Sequence, residues 1–212
     1  MVSRVLYRPF EETDFDAIAS VLQGIWHDRS DIEAYNFLEA CDDLAYSLSN
    51  STFSQVVVVD DAPSGIVLAR AANAETDRSG RWEQTDRDFL EQMRRMDPRA
   101  SQVRARFSEL EDSVNAELLR RASLGEAAGE ITLLAVGAET RGTGIGSVLL
   151  DAALSYLSSH GTTYAYLFTD TSCTWSFYEH RGFTRLGRHR STREERHLLP
   201  RELYLYGLDL SA

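Results

Sequence analysis

The stretch EITLLAVGAETRGTGIGSVLLDAALSYLSSH, residues 130–160, decides how the rest of this chain is read. Residues 131–136 are a short apolar run rich in branched side chains, the pattern of a buried strand. A glycine-rich turn follows, Arg141-Gly142-Thr143-Gly144-Ile145-Gly146. Leu150, Ala153, Leu154 and Leu157 then recur at the spacing of an amphipathic helix, and Gly161 is its expected C-cap. A strand, a glycine turn and a helix in that order suggest an anion cradle. Glycine lets the backbone come close to a phosphate, and the first free N–H groups of the helix point at it.

Two glycine-loop chemistries are excluded. A P-loop needs a lysine after its last glycine, and this chain has none: all 22 of its basic residues are arginine. A dinucleotide fingerprint is spaced GxGxxG, whereas Gly142, Gly144 and Gly146 are spaced GxGxG and Ser147 stands where the third glycine belongs. The plain alternative to a cradle is a glycine turn that only caps the helix. The missing lysine also excludes Schiff-base chemistry on the chain.

At 212 residues the chain is long enough for one domain with a sizeable insertion. An apolar content of 43% and a charged content of 26% are those of a globular protein. No apolar run reaches the length of a membrane span, and MVSRVLYRPFEE has no apolar leader core, so the expected compartment is the cytoplasm. Cys41 and Cys173 form neither a disulfide framework nor a metal spacing, and no metal is expected. The net charge of −11 argues against nucleic acid as a partner. Residues 11–61 hold twelve acids against the single base Arg29, while residues 141–201 hold eight arginines against five acids. The first half is suited to a cation and the second to an anion. A merely solvated acidic surface is the alternative for the first half.

Taken in order, residues 4–9 predict a strand. Thr13 or Asp14 is placed to cap a helix carrying Phe15, Ile18, Ala19, Leu22 and Ile25, and Asp31 to cap a second helix through about Leu48. Residues 55–59 and 66–72 predict a hairpin across a turn at 60–65. Residues 73–129 break the rhythm. A polar loop over 73–80 leads to a helix with Phe89, Met93 and Met96 on one face. Asp97 and Pro98 then start another helix, striped by Val103, Phe107, Leu110, Val114 and Leu118 and ended by Gly125 and Gly129. Residues 164–168 predict a strand, 172–180 a short helix capped by Gly182, and Phe183 and residues 201–210 the last two strands.

A second motif gives the loop a ligand. Phe177-Tyr178-Glu179-His180-Arg181-Gly182-Phe183 resembles the F-Y-E-x-x-G-F signature of the GNAT superfamily of N-acetyltransferases. Arg141 to Gly146 resembles that family's Q/R-x-x-G-x-G/A acetyl-CoA loop, with the expected helix and strand between the two motifs. The chain departs from the pattern at Thr171 and Thr174, where the family often has asparagine and alanine.

The resemblance implies an α/β (α+β) fold with a mixed, mostly antiparallel central sheet flanked by helices. It implies a single N-acetyltransferase domain over 1–212, with a helical-hairpin insertion at about 73–129. The implied activity is direct acetyl transfer from acetyl-CoA, as co-substrate, to an amine of a small molecule or peptide. The acidic first half favours a cationic acceptor. No membrane partner is implied, and the insertion either walls the acceptor pocket or serves a homodimer contact. Arg141, Gly142, Thr143, Gly144, Ile145, Gly146 and Ser147 are the implied pyrophosphate cradle, Leu134, Ala135 and Val136 the strand whose backbone faces the thioester, and Thr171 a partial substitute for the pantetheine-binding asparagine. Tyr178 is the implied acid for the departing thiolate, and Glu130, at the start of the strand, the leading candidate base. Asp170, Glu39, Asp42 and Asp43 are further base candidates; Cys173 and the histidines receive no role. The alternatives are a non-catalytic acyl-CoA-binding regulatory module and an acyltransferase with a hydroxyl acceptor or a longer acyl group.

Overall fold

The structure is a computed structural model that describes residues 4–72, 74 and 80–211. The expected polar loop at 73–80 lies outside the described residues except for 74 and 80. In chain order the elements are β1 (Val5–Arg8), α1 (Phe15–Trp26), α2 (Glu33–Ser49), β2 (Phe53–Val59), β3 (Ala62–Arg70), α3 (Arg81–Met96), α4 (Pro98–Ala122), β4 (Ala128–Val136), α5 (Ile145–Ser159), β5 (Tyr164–Asp170), α6 (Ser176–His180), β6 (Thr184–Arg190) and β7 (Glu202–Asp209). The strands form one sheet in the order β1-β2-β3-β4-β5-β7-β6. Every described pair is antiparallel except β4 with β5, so the sheet is mixed and mostly antiparallel, as the family resemblance implies.

Period-two alternation sorts the strand residues to two faces. On one face α5 buries Leu149, Leu150, Ala153 and Leu157 against Val67, Ile131, Ala165, Leu167 and Tyr206. On the other, α1 and α2 lay Ile18, Leu22 and Leu44 on Val56, Ile66, Leu68, Leu133 and Ala135. The same face carries α4, whose Val114 and Leu118 pack on Tyr166, Leu203 and Leu205. Each fully buried Leu or Ile contributes roughly 1.5–3 kcal/mol through loss of apolar surface to water.

The parallel pair is short. Strands β4 and β5 meet only at Ala128↔Tyr164, Gly129↔Ala165 and Glu130↔Tyr166. Beyond that point β4 stays with β3 as far as Gly65↔Val136, and β5 stays with β7 as far as Asp170↔Leu203. The two strands therefore part and leave a V whose apex is Glu130 beside Tyr166.

Several boundaries differ from the sequence reading for local reasons. The turn expected over 60–65 is only two residues wide: Asp60 and Asp61 both take left-handed backbone, at φ 49° and 67°, and β3 resumes at Ala62. Asp14 does not cap α1 through its side chain. It is 2% exposed, accepts the Arg8 guanidinium at 2.6 and 2.7 Å, and takes the Glu11 N–H at 2.9 Å. The N-cap of α2 is Ile32 rather than Asp31, with no side-chain bond. Asp97 and Pro98 act as expected, with the Asp97 carboxylate accepting Ala100 N–H at 2.9 Å. Helix α4 ends at Ala122 with Ser123 left-handed at φ 50°, so Gly125 and Gly129 do not end it. Helix α6 starts at Ser176 rather than 172, because Asp170 Oδ1 takes the Ser172 N–H at 2.6 Å and holds an intervening turn.

Gly129 lies inside β4 at the closed end of the V. A Cβ there would stand 2.9 Å from Arg70 O, Leu157 Cδ2 and Thr162 Cγ2. Overpacking of this kind costs roughly 1–3 kcal/mol. Gly129→Ala is therefore expected to lower the thermal midpoint by about 2–10 °C. A midpoint equal to that of the parent would show that the three neighbours give way freely.

Candidate active site

The open half of the V is lined by backbone. Gly137 N–H bonds Ser64 O at 2.8 Å, and the register continues through Val136↔Gly65 and Ala135↔Ile66. Antiparallel pairing alternates, so Ala135 turns its peptide groups to β3, while Leu134 and Val136 turn theirs to the edge that β5 has left. Arg141 Nε reaches that edge and donates to Val136 O at 3.1 Å. Of the three strand residues expected to face a thioester, two point their N–H groups into the V and Ala135 does not. Their side chains are ordinary core: Ala135 is 2% exposed under α1 and α2, and Leu134 and Val136 pack on the α5 side.

The loop at the mouth has the geometry of a cradle. Gly142 and Gly144 have φ of +76° and +86°, a conformation that side chains rarely adopt, and the space beside each is open. Gly144 is the N-cap of α5. Ser147 N–H turns back to Gly144 O at 3.0 Å, and Val148 N–H to the same oxygen at 3.2 Å. Ser147 N–H is thus an internal donor of the helix, and the amides free for a ligand are those upstream. Ile145 is buried in the core and can offer only its backbone. Thr143 Oγ1 donates to Thr140 O at 2.6 Å, which braces the loop. Thr171 is turned to β7: its N–H bonds Glu202 O at 3.0 Å and its hydroxyl accepts Glu202 N–H at 3.3 Å.

Tyr178 is carried by α6 and packed edge-on by Phe177 and Phe183. Its hydroxyl makes no hydrogen bond among the described residues. Burial, and secondarily the Cys173 thiol, push its pKa well above the ordinary phenol value. A phenol in that state keeps its proton and can donate it. Glu130 is held differently. Its Oε2 accepts from both Arg70 and, at 3.2 Å, Tyr166. Burial raises its pKa against the opposing pull of Arg70 and Tyr166. It borders a small cavity of about 110 Å³ with Tyr46, Ser47, Asn50 and Thr132.

The acidic first half of the chain separates into two sets. Glu39 and Asp42 are 2% and 0% exposed and belong to the interior. Glu39 accepts Arg29 Nε at 2.9 Å, and Asp42 pairs with Arg104 of α4. His27 stands against Asp43 at 3.3 Å and Glu39 at 3.8 Å. Its own burial works against the charge, but the two carboxylates outweigh it and raise its pKa to about 9, so it is a cation at neutral pH. The other set, Asp43 of α2 and Asp170 at the end of β5, lies on the side of Glu111 of α4. Sequence reasoning missed Glu111. The available signal was an acid standing four residues after Phe107 and three before Val114, on the inward stripe of its helix.

Residues 104–183 match the model of the acetyltransferase (GNAT) family. No curated protein matches the chain in sequence. Among solved structures it is similar to aminoglycoside 6'-acetyltransferase type Ii, at 13% identity over 98% of each chain and a TM-score of 0.59. It is also similar to the ribosomal-protein-S18-alanine N-acetyltransferase of Escherichia coli, at 12% identity over 99% of this chain and 96% of that one, with a TM-score of 0.55. A chain of the NatC complex bound to Gag peptide and CoA is similar at 16% identity, over 98% and 99%, with a TM-score of 0.52. At these identities the likeness establishes the fold. Residues 104–183, which carry the glycine loop and the Phe177–Phe183 motif, thus match the model of the GNAT acetyltransferases, on a fold that the chain shares with solved members of that family.

Proposed function

We propose that this protein moves an acetyl group from acetyl-CoA directly to a primary amine of a cationic small molecule or peptide, as one N-acetyltransferase domain with α3 and α4 as its insertion. The observation that carries the reading is the V between β4 and β5, with the peptide groups of Leu134 and Val136 directed into it and a left-handed glycine loop at its mouth. The two free cysteines suit the reducing cytoplasm expected from the sequence.

Each residue type does work the reaction needs. The free amides of the Gly142–Gly144 loop and the α5 N-terminus receive the pyrophosphate, with the Arg141 guanidinium beside them. The Leu134 and Val136 amides offer donors for charge developing on the thioester oxygen, worth on the order of 3 kcal/mol for one well-placed group. Tyr178 holds a proton for the departing sulfur. The rival reading, a module that binds acyl-CoA without turnover, gives no reason for an unpartnered hydroxyl on a half-buried ring.

The test is release of free thiol from acetyl-CoA in the presence of a panel of amines. Release that depends on the amine is expected; tight acetyl-CoA binding without turnover across a broad panel would favour the binding module. Tyr178→Phe is expected to lower kcat about 100-fold with acetyl-CoA affinity kept, and full kcat in that variant would remove the tyrosine from the mechanism. Gly144→Val forces a branched side chain into left-handed backbone, which is expected to weaken acetyl-CoA binding roughly 10–100-fold. Unchanged affinity measured by calorimetry would contradict the cradle.

A further inference from the structure

The inserted helix α4 brings a carboxyl group to the open half of the V. Phe168 lies on the part of β5 that has left β4, and it packs in one cluster with Phe107 and Leu110 of α4. Glu111 follows Leu110, four residues after Phe107 and three before the buried Val114, so it stands on the same inward stripe of α4. Arg29, from the α1–α2 connection, stacks on the Phe107 ring at 4.9 Å, which brings the α2 side to the same place. Asp170 Oδ2 accepts from the Cys173 sulfur at 3.8 Å, and the Cys173 thiol adds to the burial that raises the Tyr178 pKa.

Glu111 differs from the other acids on this side of the molecule. It makes no hydrogen bond and no ion pair among the described residues, whereas Asp43 holds His27, Asp170 holds Ser172, and Glu39 and Asp42 hold arginines. The wall behind it also has spare capacity. Glu39 Oε2 and His27 Nδ1 are buried without a hydrogen-bond partner. An unpaired carboxyl group with Asp43 and Asp170 near enough to act on it is chemically matched to an ammonium group.

We infer that Glu111, on the inward stripe of α4, is the base that takes the proton of the acceptor ammonium, with Asp43 and Asp170 as its acidic neighbours. The inference rests on the acetyl-transfer reading and deepens it: the acceptor is an amine that enters as a cation, and the inserted hairpin supplies part of the active site. The proton balance is complete. The ammonium gives one proton to Glu111, which passes it to solvent. The C–N bond forms at the thioester carbonyl as the C–S bond breaks. The nitrogen loses its second proton, and the sulfur gains one from Tyr178, which is reprotonated in exchange. Burial first, then Asp43, Asp170 and Asp112, raise the Glu111 pKa to about 7 against the pull of Arg29, so the group is poised for proton transfer at neutral pH.

The sign of the pH dependence follows. Glu111 acts as a base only when ionised, so kcat/KM for the best amine of the panel is expected to rise through about pH 7, apart from the rise due to the amine itself near ~10. Glu111→Gln is expected to lower kcat/KM at least ~100-fold and to abolish the limb near 7, with acetyl-CoA affinity unchanged. Glu111→Asp is expected to restore part of the rate and the limb. A Glu111→Gln enzyme that keeps both rate and limb, or a limb that disappears with Glu130→Gln instead, would overturn the assignment. Should the variants not fold, the side-chain carboxyl carbon of Glu111 can be titrated by NMR in the parent protein. A midpoint near 7 supports the inference and one near ~4 contradicts it. Absence of amine-dependent thiol release from the parent enzyme would instead bring down the acetyl-transfer reading on which this one stands.

Discussion

The structure depends on one limited interaction, the three-residue parallel pairing of β4 with β5. Each strand has a full antiparallel partner on its other side, β3 for β4 and β7 for β5, and those ladders continue where the parallel pairing stops. A peptide group left unpaired in a buried place costs about as much as a lost hydrogen bond. The edges of the V are therefore tolerable only if water or a ligand satisfies them. A strand pair that closed fully would be more stable and would leave no unpaired peptide groups to meet a ligand.

What fixes the opening is packing around its closed end. Gly129 admits Leu157, Thr162 and the Arg70 carbonyl at contact distance, and Glu130 locks the next position to Arg70 and Tyr166. At the other end the Arg141 side chain bonds back to the Val136 carbonyl, so the loop and the strand that precedes it form one unit. The far face is closed by α4, whose apolar stripe is seated on β5 and β7. The V is thus braced at its apex, its mouth and one flank, which is the rigidity that electrostatic stabilisation of a transition state requires.

Much of this was legible in the sequence, and the limits have physical causes. The strand–glycine-loop–helix unit was readable because its signals are local: branched apolar residues, paired left-handed glycines and a 3.6-residue stripe. Asp97 and Pro98 marked the start of α4 for the same reason. The hairpin turn was misjudged because two left-handed aspartates do the work that a glycine would announce. Gly129 was misread as a helix end because a lone glycine does not say whether it serves φ or a close approach. Which of Leu134, Ala135 and Val136 faces the V depends on the register with β3, a long-range property. The acids of the first half looked alike in sequence. Their division into interior ion pairs at Glu39 and Asp42 and a half-exposed partner of His27 at Asp43 came from arginines supplied by distant segments. Glu111 escaped notice for a related reason, since its charge partners lie on α2 and β5.

The account turns on the claim that the Leu134 and Val136 amides line a ligand site while the Ala135 amide belongs to the sheet. Amide hydrogen exchange followed residue by residue by NMR tests this most directly, with and without acetyl-CoA. The account predicts fast exchange at Leu134 and Val136 in the free protein, slow exchange at Ala135, and protection of the first two alone when acetyl-CoA is added. Protection of Leu134 and Val136 already present in the free protein, or no change at either on saturation with acetyl-CoA, would contradict it.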